Sequence, residues 1–446
     1  MTIRLPDDVK FIIDRLHDAG FEAYAVGGCV RDSILGREPD DWDITTSAKP
    51  SEVKRLFRPT IDTGLQHGTV TVLRNHIGYE VTTYRIDGVY EDARHPKEVT
   101  FTCDLKEDLL RRDFTINAMA YNDEEGLIDE YGGLGDIENK MIRCVGDPRA
   151  RFNEDALRMM RAVRFAAQLG YDIEDDTKEA VRELYQKLEL ISAERIQVEL
   201  SKLITSDNPA HLRIAYELGI TSVVLPEFDL CMQQEQHHIH HCYSVGEHIL
   251  HAMENIEPDR ALRYTMLLHD IAKPQCRIVD DEGNEHYYGH DVRSAEMAHE
   301  IMRRLKSDNE TLRLVETLVR NHDLKVEDNE RAVRRAMNKI GKDVFPLLLK
   351  VKHADTMAQS DYMRGEKLAH LDRLKSLYDD IMAKGQGVMI ADLKVSGSDI
   401  IALGIEPGPY IGQILGRLLE IVLDDPDKND REVLLTEVRK FIGKEQ

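Results

Sequence analysis

A chain of 446 residues is too long for one ordinary core, so several domains are expected. With 42% hydrophobic and 32% charged residues, no apolar run long enough to span a bilayer and no signal-peptide pattern in MTIRLPDDVK, the expectation is a globular cytoplasmic protein without membrane contact. The formal charge of −23 excludes a broadly basic surface for coating nucleic acid and leaves room only for a local one.

In PDDVKFIIDRLHDA, Val9, Ile12, Ile13 and Leu16 recur at helical spacing, and Gly20 reads as the cap that ends the helix. FEAYAVGG predicts a strand entering a glycine turn. A second strand is expected at Trp42–Thr45, and TVTVLRNHIGYEVTTYR alternates like a hairpin turning at Asn75–Gly78. Up to about residue 140 the chain is therefore mixed α and β; beyond it the strand signal nearly vanishes and helical periodicity takes over. Breaks are expected near Leu225–Pro226 and at KGQGV, residues 384–388. Six scattered cysteines with no CxxC pair suit buried, reduced thiols.

The segment AVGGCVRDSILGREPDDWDITTSA carries the first chemistry. The Gly27-Gly28 turn and the following helix start let backbone N–H groups approach a triphosphate, and Arg31 adds charge. Asp41 and Asp43, two apart on a strand, share a face, where hard carboxylate oxygens suit Mg²⁺. Two such ions can activate a 3′-hydroxyl and steady a leaving pyrophosphate.

Between Met141 and Gly170 stand six arginines, no lysine and three acids, which predicts a basic strip with a limited footprint. Within it, RFNEDALRMMRAVRF places Asp155, Arg158, Arg161 and Arg164 on one polar arc of a helix, opposite Leu157, Met160 and Val163. Cytosine and adenine both place an exocyclic amine beside an unprotonated ring nitrogen. An Asp acceptor next to an Arg donor complements that edge and opposes the edges of uracil and guanine.

In the second half, HHIHHCYSVGEHIL, LLHDIAKP, GHD, RNHD and KHADT supply His241, His248, His269, Asp270, His290, His322 and Asp355 at helical positions, a set able to bind one or two divalent metals such as Mn²⁺, Ni²⁺, Fe or Zn²⁺.

In this order the motifs resemble the bacterial CCA-adding and poly(A) polymerase family, whose catalytic head is polymerase-β-like, over roughly residues 20–435. The resemblance implies an α+β fold: a head at 1–140, a helical neck at 141–225, an HD domain at 226–384 and a helical tRNA-binding tail at 385–446. It implies CCA addition to tRNA from CTP and ATP, with Asp41, Asp43 and Glu80 catalytic and two Mg²⁺ ions on Asp41 and Asp43.

Gly27, Gly28, Arg31, Asp32, Arg112, Asp113 and Asn117 then bind nucleotide; Glu154, Asp155 and Arg158 match the family's base-reading motif, joined by Arg161 and Arg164. DGVYEDARHP, with Asp92 and Arg94, resembles the loop associated with switching to ATP, and AERIQVELSKLI, with Glu194, Arg195 and Glu199, a structural neck-helix motif. The histidine motifs resemble the HD phosphohydrolase superfamily, in which either His241 or His248 fits the first ligand position. A poly(A) polymerase or A-adding enzyme shares these parts. So does an HD phosphohydrolase with a vestigial head, which the intact Asp41 and Asp43 count against.

Overall fold

The computed structural model describes residues 1–64, 68–87, 99–236 and 243–443. These divide into two compact units, Met1–Pro226 and Glu227–Gln446. No described helix is long and apolar enough to cross a membrane.

The first unit opens with the helix Asp7–Asp18, which buries Val9, Ile12, Ile13 and Leu16, the stripe its spacing predicts. Nine strands follow in chain order: β1 (Ala23–Val26), β2 (Ile44–Thr46), β3 (Thr60–Gly64), β4 (Thr69–Arg74), β5 (Ile77–Thr83), β6 (Arg85–Asp87), β7 (Val99–Phe101), β8 (Ala120–Asn122) and β9 (Gly126–Ile128). Seven form one sheet in the order β3-β4-β5-β2-β1-β8-β9, while β6 and β7 pair separately. Only β2 with β5 is parallel within the large sheet. β1 is buried along its whole length, as a central strand must be.

The β4–β5 hairpin turns on Asn75 and His76, with φ of 49° and 66°, a tighter turn than the one expected at Asn75–Gly78. Two positive φ values match the twist of a two-residue hairpin loop, and Asn is among the residues that tolerate them. β2 also begins later than expected, at Ile44. Asp41 and Asp43 lie in the segment leading into it, still tied to β1 where Val26 N donates to Asp43 O at 3.0 Å.

The rest of this unit is helical apart from a short parallel ladder, Met141–Ile142 with Asp172–Ile173, too brief to leave a sequence signature. The segment RFNEDALRMMRAVRF spans parts of two helices, Pro148–Glu154 and Leu157–Leu169, with Asp155 extended between them at φ −141° and ψ 103°.

Among the described residues the second unit is helical except for a hairpin, Ile278–Val279 with Glu285–His286, which the sequence reading missed. Its terminal part has its own core, where Val395, Ile400, Ile414, Leu418, Val422 and Leu434 meet. Cys29, Cys144 and Cys231 are buried free thiols, while Cys103 is exposed.

Candidate active site

Asp41, Asp43 and Glu80 are all exposed, and the last sits on β5 two strands from β1. The pKa of Asp43 is raised to about 6. Partial removal from water contributes most, and repulsion from Asp41 and Glu80 adds to it against the pull of Arg112. Mutual repulsion shows that the three carboxylates share one neighbourhood, and their exposure leaves it open to ions and substrate. Gly27, at φ +85°, turns the chain beside them; a Cβ there would lie 2.8 Å from Arg112 Nη1, so the guanidinium packs against the turn itself. A cleft of about 520 Å³ is lined by Gly28, Arg31, Asp32, Asp41, Arg164 and Lys202 among others.

Behind the cleft runs a chain of charge-assisted hydrogen bonds. Arg31 donates to Asp32 through Nε and Nη2, both at 2.9 Å, and to Asn117 Oδ1 at 2.6 Å. Asn117 donates to Asp113 at 3.1 Å, and Asp113 also accepts from Arg161 at 2.8 and 2.5 Å. Burial works against ionising Asp113, but Arg161 and Asn117 outweigh it and hold the carboxyl well below its usual range. Arg164 Nε lies 2.7 Å from Glu199, and burial lowers the Arg164 pKa to about 10. Arg31, Arg161 and Arg164 all surround the Phe165 ring, at 5.0, 5.4 and 3.8 Å from its centroid.

One expectation is corrected here: Asp155 lies between two helices and not on the helix of Arg158, Arg161 and Arg164, and of these Arg158 and Arg164 are only 9% and 6% exposed. Asp155 and Arg158 are each held by other residues. Asp155 is gripped by Arg195, through Nη2 at 2.7 Å and Nη1 at 3.3 Å, and accepts from Leu157 N at 3.0 Å. Arg158 donates to Glu154 at 2.6 Å and to the Arg111 carbonyl at 2.8 Å.

The basic strip is likewise compensated, with Arg143 on Asp136, Arg149 on Glu183, Arg151 and Arg158 on Glu154, Arg161 on Asp113 and Arg164 on Glu199. Arg143 and Arg149 make their pairs at the surface, whereas Arg158 and Arg164 are buried with theirs.

The sequence reading missed Arg195 as the partner of Asp155, Phe165 as the ring three arginines share, and Asp108. This last is a fully buried carboxylate holding Arg111 at 2.8 Å and lying 3.8 Å from Arg112. A Phe four residues after Arg161 was the only available hint. Asp92 and Arg94 lie outside the described residues.

In the second unit, His248, His269, Asp270, His290, His322 and Asp355 come together, and His241 lies outside the described residues. The Nε2 atoms of His248 and His269 are 3.2 Å apart, and those of His290 and His322 are 3.3 Å apart. Asp270 sits between the two pairs. Its Oδ2 is 3.4 and 3.2 Å from the first pair, and its Oδ1 is 3.4 and 3.7 Å from the second. Asp355 Oδ1 adds a contact of 3.0 Å to His248.

The Nδ1 atoms of His269, His290 and His322 each face a backbone carbonyl, of Met266, Tyr287 and Val319, at 2.8, 2.8 and 2.7 Å. A carbonyl can only accept, so Nδ1 carries the proton and donates, and in neutral rings Nε2 is left as a bare lone pair. Across the His290–His322 contact two such lone pairs face each other and repel unless a cation lies between them. Burial opposes protonation of His269, yet Asp270 and Asp355 outweigh it and raise its pKa to about 10.

Three families match the chain in turn. The Poly A polymerase head domain matches residues 23–143, the RNA- and SrmB-binding site of polymerase A residues 170–232, and tRNA nucleotidyltransferase domain 2 residues 291–438. The CCA-adding enzyme of Pediococcus pentosaceus is 34% identical over 98% of this chain and 98% of its own. That of Leuconostoc citreum is 36% identical over 98% and 96%. The crystal structure of the Bacillus stearothermophilus CCA-adding enzyme with CTP superposes with a TM-score of 0.70 at 28% identity, covering 97% of this chain and 98% of that one.

Proposed function

Because the chain belongs to the CCA-adding enzyme family, we propose that its first unit extends the 3′ end of tRNA with C and A residues taken from CTP and ATP. The observation that carries this reading is the convergence of Asp41, Asp43 and Glu80 beside the Gly27 turn. The three exposed carboxylates fit divalent ions, Mg²⁺ by the hardness of their oxygens. Such ions supply charge to the attacking 3′-hydroxyl and the departing pyrophosphate when bound.

Asp41 and Asp43 hold them, with Glu80 alongside. Arg31, Asp32, Asn117 and Asp113 form a bonded network on which a triphosphate is positioned, their mutual bonds fixing each side chain before the substrate arrives, and Arg112 packs against the Gly27 turn beside them. Incubation with tRNA lacking its CCA end, Mg²⁺ and each labelled NTP should give C and then a terminal A, with UTP and GTP excluded. A long A tract would instead mark a poly(A) polymerase.

Base choice falls to Asp155 and Arg158, each held ready by a neighbour rather than by the other. Asp155→Ala should lower CTP and ATP use and narrow their advantage over UTP and GTP by about ten- to a hundredfold, by analogy with a bidentate base contact. Arg195→Ala should narrow it in the same direction but less, because Asp155 remains and loses only its orientation. Arg31→Ala should depress all four nucleotides alike. The measurement is kcat/KM for each NTP; if Asp155→Ala slows all four equally, the base is read elsewhere.

The facing histidine pairs carry a second reading, that the second unit is an HD phosphohydrolase in which His248, His269, His290, His322, Asp270 and Asp355 would hold two divalent metals, which would supply an activated water for phosphoester cleavage. Imidazole with carboxylate suits Mn²⁺, Ni²⁺, Fe or Zn²⁺. In this reading His248 serves as a ligand, being in contact with Asp270 and Asp355.

A further inference from the structure

Asp108 stands on the helix Leu105–Leu110, and its side chain is wholly out of water. A buried charge persists only where its surroundings satisfy it, and here three stretches of chain do so. Oδ1 accepts from Arg111 through Nε at 2.9 Å and Nη2 at 2.8 Å, and from Arg85 N, at the start of β6, at 3.3 Å. Oδ2 accepts from Thr45 Oγ1 at 3.0 Å, on β2 two residues beyond Asp43, and faces Arg112 Nη2 at 3.8 Å. Burial opposes ionising this carboxyl, but Arg111 and Arg112 outweigh it and hold its pKa below the usual range.

Arg111 is bonded to Asp108 outright, and Arg112 is related to it differently. The Arg112 side chain is 17% exposed, its Nε is buried with no hydrogen-bond partner among the described residues, and its Nη1 packs on the Gly27 turn. At 3.8 Å the contact with Asp108 is a charge attraction and not a hydrogen bond, so it aims the guanidinium without occupying its donors. Of the charges that keep Arg112 ionised against burial, Asp108 acts most strongly, ahead of Asp43 and Asp113, with Arg111 opposing. Removing the Asp108 charge tips this balance toward Asp43, which draws the guanidinium off the turn.

We infer that Asp108 is a positioning residue for nucleotide binding, a buried counter-charge that holds Arg112 against the Gly27 turn with its N–H groups turned to a triphosphate. This rests on the reading above that the triphosphate lies at that turn.

Asp108→Asn keeps the shape of the side chain and removes its charge. It should raise KM for CTP and for ATP by about tenfold, the loss expected when one charge-assisted contact is misplaced. The inhibition constant of tripolyphosphate, which has no base, should rise by the same factor at saturating Mg²⁺, while KM for tRNA stays unmoved. A double-mutant cycle isolates the route: in an Arg112→Ala background, Asp108→Asn should change KM for either nucleotide by less than about twofold. These constants do not depend on how much of the chain is folded, so a smaller folded fraction does not mimic the result. If Asp108→Asn yields no folded chain, Thr45→Val, which releases Oδ2 and keeps the charge, should raise both KM values by about twofold or more, again only where Arg112 is present.

If Arg112→Ala itself leaves both KM values unchanged, the reading above loses that arginine and the positioning goes with it. If Arg112→Ala raises them and the Asp108 or Thr45 variant does not, or acts as strongly without Arg112, Asp108 is structural and the inference is overturned. A raised nucleotide KM beside an unmoved tripolyphosphate constant also overturns it, because Asp108 would then serve the base.

Discussion

Asp41→Ala or Asp43→Ala should abolish addition of both C and A, lowering kcat by about three powers of ten or more, while tRNA binding persists. Metal-ion stabilisation of a phosphoryl transition state is worth several kcal/mol, and each 1.36 kcal/mol is tenfold in rate. The same substitutions should not cost stability. The Asp43 pKa is raised to about 6, so its carboxylate is disfavoured in the folded state.

The sign of the linkage follows. The contribution of Asp43 to folding is complete below its ordinary value of 3.8 and is lost as pH rises through about 6. At pH 7 in the presence of a chelator, Asp43→Ala should therefore show a Tm equal to or above that of the parent chain. Single-turnover addition assays and a melting curve test both halves. Substantial turnover in either variant would remove the two aspartates from the chemistry, and a collapsed Tm would make them structural.

Asp270→Asn should lower metal affinity in the second unit by more than about a hundredfold, beyond the 10–100-fold typical of losing a group that only supports a ligand. Each Asp270 oxygen faces one histidine pair, so the substitution weakens both halves of the site at once. Asn is the informative replacement. Asp270→Ala would also strand the buried Lys273 ammonium without its partner, and breaking a buried pair costs on the order of 3–5 kcal/mol by itself.

The readout is bound transition metal per chain after purification without chelator, together with hydrolysis of a phosphomonoester or phosphodiester. CCA addition measured on the same preparation reports whether the chain is intact. Full metal content in Asp270→Asn would show that the histidines cluster for another reason.

Much of this was legible in sequence because it is local. The stripe Val9, Ile12, Ile13 and Leu16 fixes a helix and its buried face, the alternation through β4 and β5 fixes a hairpin, and Gly27-Gly28 beside Asp41 and Asp43 specifies a turn next to carboxylates. The histidines that cluster in the second unit were legible too, since each sits in a short motif.

What tertiary structure alone decided is which charges meet. Asp155 pairs with Arg195, 40 residues away, and Arg161 with Asp113, 48 residues away; neither separation has a periodicity to betray it. Helical spacing therefore drew one polar arc, while packing sets Arg161 and Arg164 against the distant acids Asp113 and Glu199. An unpaired buried charge is too costly to keep, so the fold supplies a partner for each from whichever element lies opposite. The placing of Asp270 between two histidine pairs has the same origin: sequence offers the histidines, and only helix packing brings their Nε2 atoms face to face.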